Sequence, residues 1–465
     1  MRYVSTRGEA PTLGFCDVLL AGLARDGGLY LPETWPELTA AEIAGLAGRP
    51  FADVAFEIVS RFVGDAIDPV ELKAMCDASW AGFGHPAVTP LSQLAPNHFL
   101  LELAHGPTLA FKDVAMQFLG RVVDHALAAA GRRATIVGAT SGDTGGAAIE
   151  AFRGRERVDV FIMYPHGRVS DVQRRQMTTV GDANVHAIAV EGTFDDTQAL
   201  LKGMFNHFSF RDRISLTGVN SINWARVVAQ VVYYFVAGCA LGAPFRPVSF
   251  TVPTGNFGDI FAGWVAGRMG LPIEKLVIAT NVNDILHRTL ETGRYETRTV
   301  LPTTSPSMDI QVSSNFERLL YEATGRDGAE VARLMASLTQ SGAFEVPDAA
   351  LAAIRARFAS GRADEAETAA TIAEVFRSTG RLVDPHTAVG IAVANRFLGG
   401  APMVTLSTAD PAKFPDAVEA ATGVRPGLPA RLSDLMEREE HFSVLPADLG
   451  VIEGFVERRS RAVRI

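Results

Sequence analysis

The chain has 465 residues, 48% of them hydrophobic, 20% charged and 8% aromatic. This is a globular composition, and the length is too great for one core, so about two or three domains are expected. A formal net charge of −9 offers nothing to a phosphate backbone; nucleic acid is therefore not an expected partner, although a local site can still take a small anion.

The opening MRYVSTRGEAPTLGF carries Arg2, Arg7, Glu9 and Pro11 with no apolar h-region, and no signal peptide is expected. Cys16, Cys76 and Cys239 are widely spaced and match no disulfide or metal pattern, which fits a reducing, cytoplasmic location. Residues 1 to about 95 form a leading segment with short helical patterns such as AAEIAGLAG and FADVAFEIVSRFVGD, punctuated by prolines. From His98 onward short apolar runs alternate with helical patterns: HFLLELAH before FKDVAMQFLGRVVDHALAAAG, ATIVGAT before GGAAIEAF, and VDVFIMYP before VSDVQRRQMTTVG. The rhythm returns in VSFTVPT before DIFAGWVAGRMG, LVIATN before DILHRTLETG, and MVTLST before FPDAVEAATG. Such alternation predicts an α/β fold with a largely parallel sheet and ligands bound beyond the carboxyl ends of its strands. Residues 227–245 are apolar enough to suggest a membrane span, but Gln230 and small residues interrupt them and Arg226 borders them, so a buried helix is expected. A charged, Ala-rich stretch, about 327–381, reads as a helical insertion.

Four strand-to-helix loops carry polar chemistry. In HGPTLAFKD, Lys112 stands at the start of a helix, where the dipole and desolvation both favour loss of its proton, as an imine-forming amine requires. On that segment alone, a surface lysine beside Asp113 is the commoner case. In ATSGDTGG, residues 139–146, glycines ahead of a helix form either an anion site or a plain tight turn. It is neither a Walker loop nor a GxGxxG fingerprint. PTGNFGD, residues 253–259, repeats the same strand–glycine loop–helix arrangement, with the same two readings, backbone amides around a phosphate or a plain turn. In NSINWAR, Asn223 is an N-cap candidate and Arg226 opposes the dipole of the helix it begins, which makes sense where its guanidinium forks with an anion; an ordinary interface or surface arginine is by itself the commoner case. No His/Cys/Asp cluster has metal spacing.

Taken together, these loops resemble the threonine synthases of fold type II, the tryptophan-synthase-β-like enzymes of pyridoxal phosphate. The opening YVSTRG, GLARDGGLYLPE, HGPTLAFKD, ATSGDTGGAA, NSINWAR, PTGNFGD, DPHTAVG and STADPAKF all lie in the family's order. The resemblance implies two parallel-sheet αβα lobes with the active site between them. An N-terminal domain would span about 1–95 and a catalytic region about 96–430, with a small lobe of about 115–240, a large lobe of about 96–114 and 241–430, and a C-terminal extension over 431–465. It implies pyridoxal 5'-phosphate linked to Lys112, with Phe111 alongside, and Gly255, Asn256, Phe257 and Gly258 on the cofactor phosphate. Thr408, or failing that Ser407, would meet the ring nitrogen, and Asp143 would lie near the 3-hydroxyl. Ser141, Thr144, Asn220, Ser221 and Arg226 would bind the carboxylate and phosphate of O-phosphohomoserine. His105 and His386 both fall in these motifs and are expected to approach the site. The family often has His where Asp410 stands, which puts that position's role in question.

The implied enzyme is a lyase that eliminates phosphate from O-phospho-L-homoserine and adds water to give L-threonine, working as a monomer or homodimer. A phospho-lyase releasing 2-oxobutyrate from the same substrate remains an alternative, as does a threonine or serine dehydratase, although dehydratases usually carry Ser-Phe-Lys where this chain has Ala110-Phe111-Lys112. A non-catalytic metabolite-binding protein and a dinucleotide oxidoreductase are further readings. Retention of Lys112 and the missing GxGxxG count against them.

Overall fold

The apolar run Val158–Pro165 is buried at every position, as a strand covered on both faces must be. In the computed structural model, which describes residues 1–140, 142–218 and 220–463, it is the centre of a five-stranded sheet. Across that sheet the order is Phe442–Pro446, Val185–Glu191, Val158–Pro165, Ala134–Ala139 and Leu216–Thr217, all parallel. A second, six-stranded sheet runs Phe358–Arg362, Ile273–Thr280, Val248–Pro253, Met403–Ser407, His98–Glu102 and Leu91–Ala95. Its strands are parallel except Leu91–Ala95, which closes one edge antiparallel to His98–Glu102.

The leading segment holds more than helices. Leu13–Gly14, Arg2–Ser5 and Tyr30–Pro32 make a small antiparallel sheet, followed by helices that include Phe51–Val63 and Pro69–Trp80. Pro69 takes the first helical position behind Asp68, whose carboxylate accepts from Val70 N at 2.8 Å; proline costs nothing there because that N–H has no helical partner.

Helix Trp224–Ala240 is apolar on all sides, and every residue but Val236 and Ala240 is buried. It packs against Phe51–Val63, Lys112–Ala129 and Gly258–Arg268, a central position that explains its hydrophobicity without a membrane. Among the described residues no helix is long and apolar enough to cross a membrane.

Two expectations need correction. The stretch 327–381 is not wholly helical, because Phe358–Arg362 is an edge strand of the six-stranded sheet, paired parallel with Ile273–Thr280. FASGR is too short to display a period of two, and its strand state comes from pairing with a distant segment rather than from propensity. Nor are residues 431–465 a mere extension. Phe442–Pro446 completes the five-stranded sheet, and helix Leu449–Arg459 buries Ile452, Phe455 and Val456 in the same core as Phe161 and Ile188.

Candidate active site

The carboxyl ends of the parallel strands of both sheets face a cavity of about 510 Å³. Phe111, Lys112, Asp143, Thr144, Asn220, Ser221, Arg226, Gly255, Asn256, Phe257, Gly258 and Thr408 all line it. They come together because the strand ends deliver their loops to the same crevice. Ser141 lies outside the described residues.

Lys112 is the first residue of helix Lys112–Ala129. Only 8% of it is exposed, and its Nζ lies 3.5 Å from Asp143 Oδ2 and 3.4 Å from Ser307 Oγ. Burial lowers its basicity; Asp143 opposes that shift, while Lys413 and Arg226 reinforce it. The loop before it is held by an isolated bridge between Ala110 and Ala409, by Phe111 N donating to Thr408 O at 2.8 Å, and by Leu109 in the left-handed region at φ 61°. Such strain in a non-glycine residue is sustained by its surroundings and concentrates at sites of function.

Residues 254–258 form a cradle. Phe257 has φ 64° and sits immediately before helix Gly258–Arg268, its ring buried between Phe316 and Phe358 at centroid distances of 5.4 and 5.8 Å. The carbonyls of the loop are tied back, Gly255 O accepting from Ser313 Oγ at 2.6 Å and Asn256 O from Asn315 N at 3.0 Å. The N–H groups of Gly255, Asn256, Phe257 and Gly258 donate to no other described residue. Four such donors at a helix N-terminus fit a phosphate. Asp259 follows in the first turn, where burial pushes its carboxyl up to about 7 although the Tyr233 and Tyr234 hydroxyls both donate to it. A partly protonated group repels a neighbouring phosphate less than a full carboxylate would.

Thr408 and Ser407 separate cleanly. The Thr408 backbone is fixed by Phe111 N and by Thr387 Oγ1, its hydroxyl bonds to no described residue, and it lines the cavity. Ser407 lies outside the cavity lining, and its hydroxyl accepts from Thr387 Oγ1 at 3.3 Å. The histidines separate as well. His386 lines the cavity, with Nδ1 2.9 Å from Asp384 Oδ1 and Nε2 accepting from Ser307 N at 3.2 Å, so the Nδ1–H tautomer is held. His105 instead pairs with Glu102 at 2.9 Å and is absent from the lining.

Asp143 gathers several groups at once. Its carboxylate lies 2.7 Å from Lys413 Nζ and accepts from Gln173 Nε2 at 3.0 Å and Ser307 Oγ at 3.1 Å. Gly142, at φ 146°, makes room for this, since a Cβ there would stand 2.4 Å from Gln173 Cδ. Opposite, Arg226 is only 4% exposed; burial lowers its pKa to about 10, which still leaves it a cation. Sequence reasoning missed Lys413, Ser307, Gln173 and Asp384. Lys413 lay in view within STADPAKF, whereas Ser307 belongs to SPSMDI, an irregular segment with neither helical nor strand periodicity. Asp410, where the resemblance expects His, caps the turn Pro411–Lys413 by accepting from Ala412 N at 2.9 Å, and so helps to present Lys413. Among the described residues no cluster of His, Cys, Asp and Glu could hold a metal ion.

Comparison with known proteins gives a consistent picture. The family model described as "Threonine synthase N terminus" matches residues 2–80, "Pyridoxal-phosphate dependent enzyme" matches 84–359, and "Threonine synthase, C-terminal" matches 387–456. A threonine synthase of Pseudomonas aeruginosa is 54% identical over 461 residues, covering 98% of each chain. The crystal structure of a pyridoxal-phosphate-bound threonine synthase from Brucella melitensis is 61% identical and superposes with a TM-score of 0.98, covering 99% of this chain and 100% of that one. The threonine synthase from yeast, 39% identical, superposes with a TM-score of 0.94 over 98% of each chain. The chain therefore belongs to the threonine synthase family of pyridoxal-phosphate-dependent enzymes.

Proposed function

We propose that this cavity converts O-phospho-L-homoserine and water into L-threonine and inorganic phosphate, with pyridoxal 5'-phosphate held at Lys112. One observation carries the reading: a buried amine, Lys112, shares a single cavity with two places for anions, the N–H cradle of 255–258 and the buried guanidinium of Arg226. A phosphorylated cofactor accounts for the first and a phosphorylated amino acid for the second.

In this reading Gly255, Asn256, Phe257 and Gly258 hold the cofactor phosphate, Thr408 meets the ring nitrogen and Phe111 flanks the ring. Ser407 serves only through Thr387. Asp143 lies near the 3-hydroxyl. Arg226, with Ser141, Thr144, Asn220 and Ser221, orients the carboxylate and phosphate of the substrate. When bound, the cofactor supplies an electron sink that lets protons leave the substrate's α- and β-carbons. Lys112, weakly basic and held at the cavity wall, is placed to take those protons and return them. Residues 1–95 act as an N-terminal domain behind the catalytic region of 96–430, and the end of the chain belongs to the small lobe. The enzyme works in the cytoplasm as a monomer or homodimer.

A phospho-lyase would use the same anion ligands and differ only in its product. Purified protein is therefore incubated with pyridoxal phosphate and O-phosphohomoserine, with phosphate, threonine and 2-oxobutyrate followed together. Threonine equal to phosphate is expected and should vanish in Lys112→Ala. Phosphate accompanied by 2-oxobutyrate alone overturns the assignment.

A further inference from the structure

Lys413 is fully buried and outside the cavity lining, and among the described residues it reaches the site through Asp143. Its Nζ lies 2.7 Å from Asp143 Oδ1 and donates to Thr108 O at 2.7 Å. On the other side of the same carboxylate, Lys112 Nζ stands 3.5 Å from Oδ2, with Ser307 Oγ at 3.4 Å as its second polar contact. One buried carboxylate, Asp143, thus contacts two buried amines, while the buried Asp113 adds its attraction to Lys413 and not to Lys112. Asp143 cannot neutralise both, and a surplus desolvated cation is costly unless a proton leaves.

The geometry decides which amine gives the proton up. Lys413 has the shorter contact with Asp143 and a second buried acceptor at 2.7 Å, the Thr108 carbonyl, which it shares with Gln176 Nε2. Lys112 has the longer contact and a weaker second partner. We propose that Lys413 is a positioning residue for Lys112: by occupying Asp143 it leaves the Lys112 amine unprotonated, and so able to react with a carbonyl and to accept a proton from substrate. Burial pushes Asp143 up, but the charge and hydrogen bond of Lys413 outweigh that and hold it well below the usual carboxylate range. The charged and titratable groups that bear on Lys112 are Asp143, Lys413, Arg226 and Asp259, with His386 acting on Asp143. This inference deepens the proposed function and rests on Lys112 being its working amine.

The test reads the amine directly. The full chain, freed of cofactor, is treated with acetic anhydride, which acylates only unprotonated amines. Acylation of the Lys112 peptide is followed by mass spectrometry across pH against the exposed Lys202. Lys413→Met should raise the pH midpoint of Lys112 by about one unit or more, roughly a tenfold loss of reactive amine below it. Lys413→Arg should restore the midpoint. Adding Asp143→Asn to Lys413→Met should bring it back to the wild-type value or lower, because the carboxylate that claims Lys112 is then gone. Lys413→Gln, which keeps a donor for Thr108 O, replaces the Met variant if that does not fold. An unchanged or lowered midpoint without Lys413, or a double variant as high as the single one, overturns the proposal. Threonine formation by the unaltered chain is measured separately; its absence would remove the proposed reaction while leaving the amine titration to stand or fall on its own.

Discussion

The carbonyl oxygen of Ser307 lies 2.8 Å from where a Cβ on Gly255 would stand. The 254–258 cradle and the segment that touches Lys112 are therefore in backbone contact, and no side chain fits between them. Gly255→Ala should push 306–308 away from the cradle, costing about 1–3 kcal/mol of stability as an overpacked site. It should also loosen Ser307 from Lys112 and Asp143. A lowered urea midpoint together with reduced kcat is expected. A variant matching wild type in both measurements would show that the contact relaxes freely.

Among the described residues, Arg226 is the one guanidinium in the cavity lining. If it pairs with the desolvated substrate anion, Arg226→Ala loses about 2–5 kcal/mol of binding. Steady-state kinetics should register this chiefly as a higher KM for O-phosphohomoserine, with cofactor binding retained. An unchanged KM removes Arg226 from substrate binding.

His98 should give the fold a measurable pH dependence away from the site. It is buried against Thr405 Oγ1 at 2.8 Å, and burial lowers its pKa from 6.5 to about 4. Between those values the unfolded chain binds the proton and the folded chain does not, so stability falls as pH drops through this window and rises as pH increases. The contribution is fully present above 6.5 and is about 3 kcal/mol. Urea unfolding at pH 4.5 and 7.5 should show a smaller difference in His98→Leu than in wild type; identical differences refute it.

Ending the chain after residue 440 should disable the small lobe. It strips the edge strand from Val185–Glu191, uncovers the pocket of Ile452, Phe455 and Val456, and removes the Arg461 partner of Asp159, a carboxylate only 2% exposed. Three apolar side chains at about 1.5–3 kcal/mol each approach the whole net stability of a typical domain. Insoluble protein, or rapid amide exchange in Val158–Pro165, is the expected result. Wild-type melting of the shortened chain would mean that the tail is dispensable.

Much of this protein was legible in its sequence. Alternating apolar runs and helical patterns specify parallel sheets, because strand and helix periods are local properties, and loops such as 253–259 offer a candidate anion site through glycines at a helix start. Lys112, Asp143, Arg226 and Thr408 reach the cavity because each lies at or near a strand end or helix start that the pattern already marked. Tertiary structure alone decided the rest. It made Phe358–Arg362 and Phe442–Pro446 into sheet edges, set Thr408 rather than Ser407 in the wall, turned His105 away toward Glu102, and brought Lys413 to Asp143 across 270 positions of sequence. Those outcomes depend on which distant backbone pairs and which charges lose water together, and no period or motif in a single stretch of chain records either.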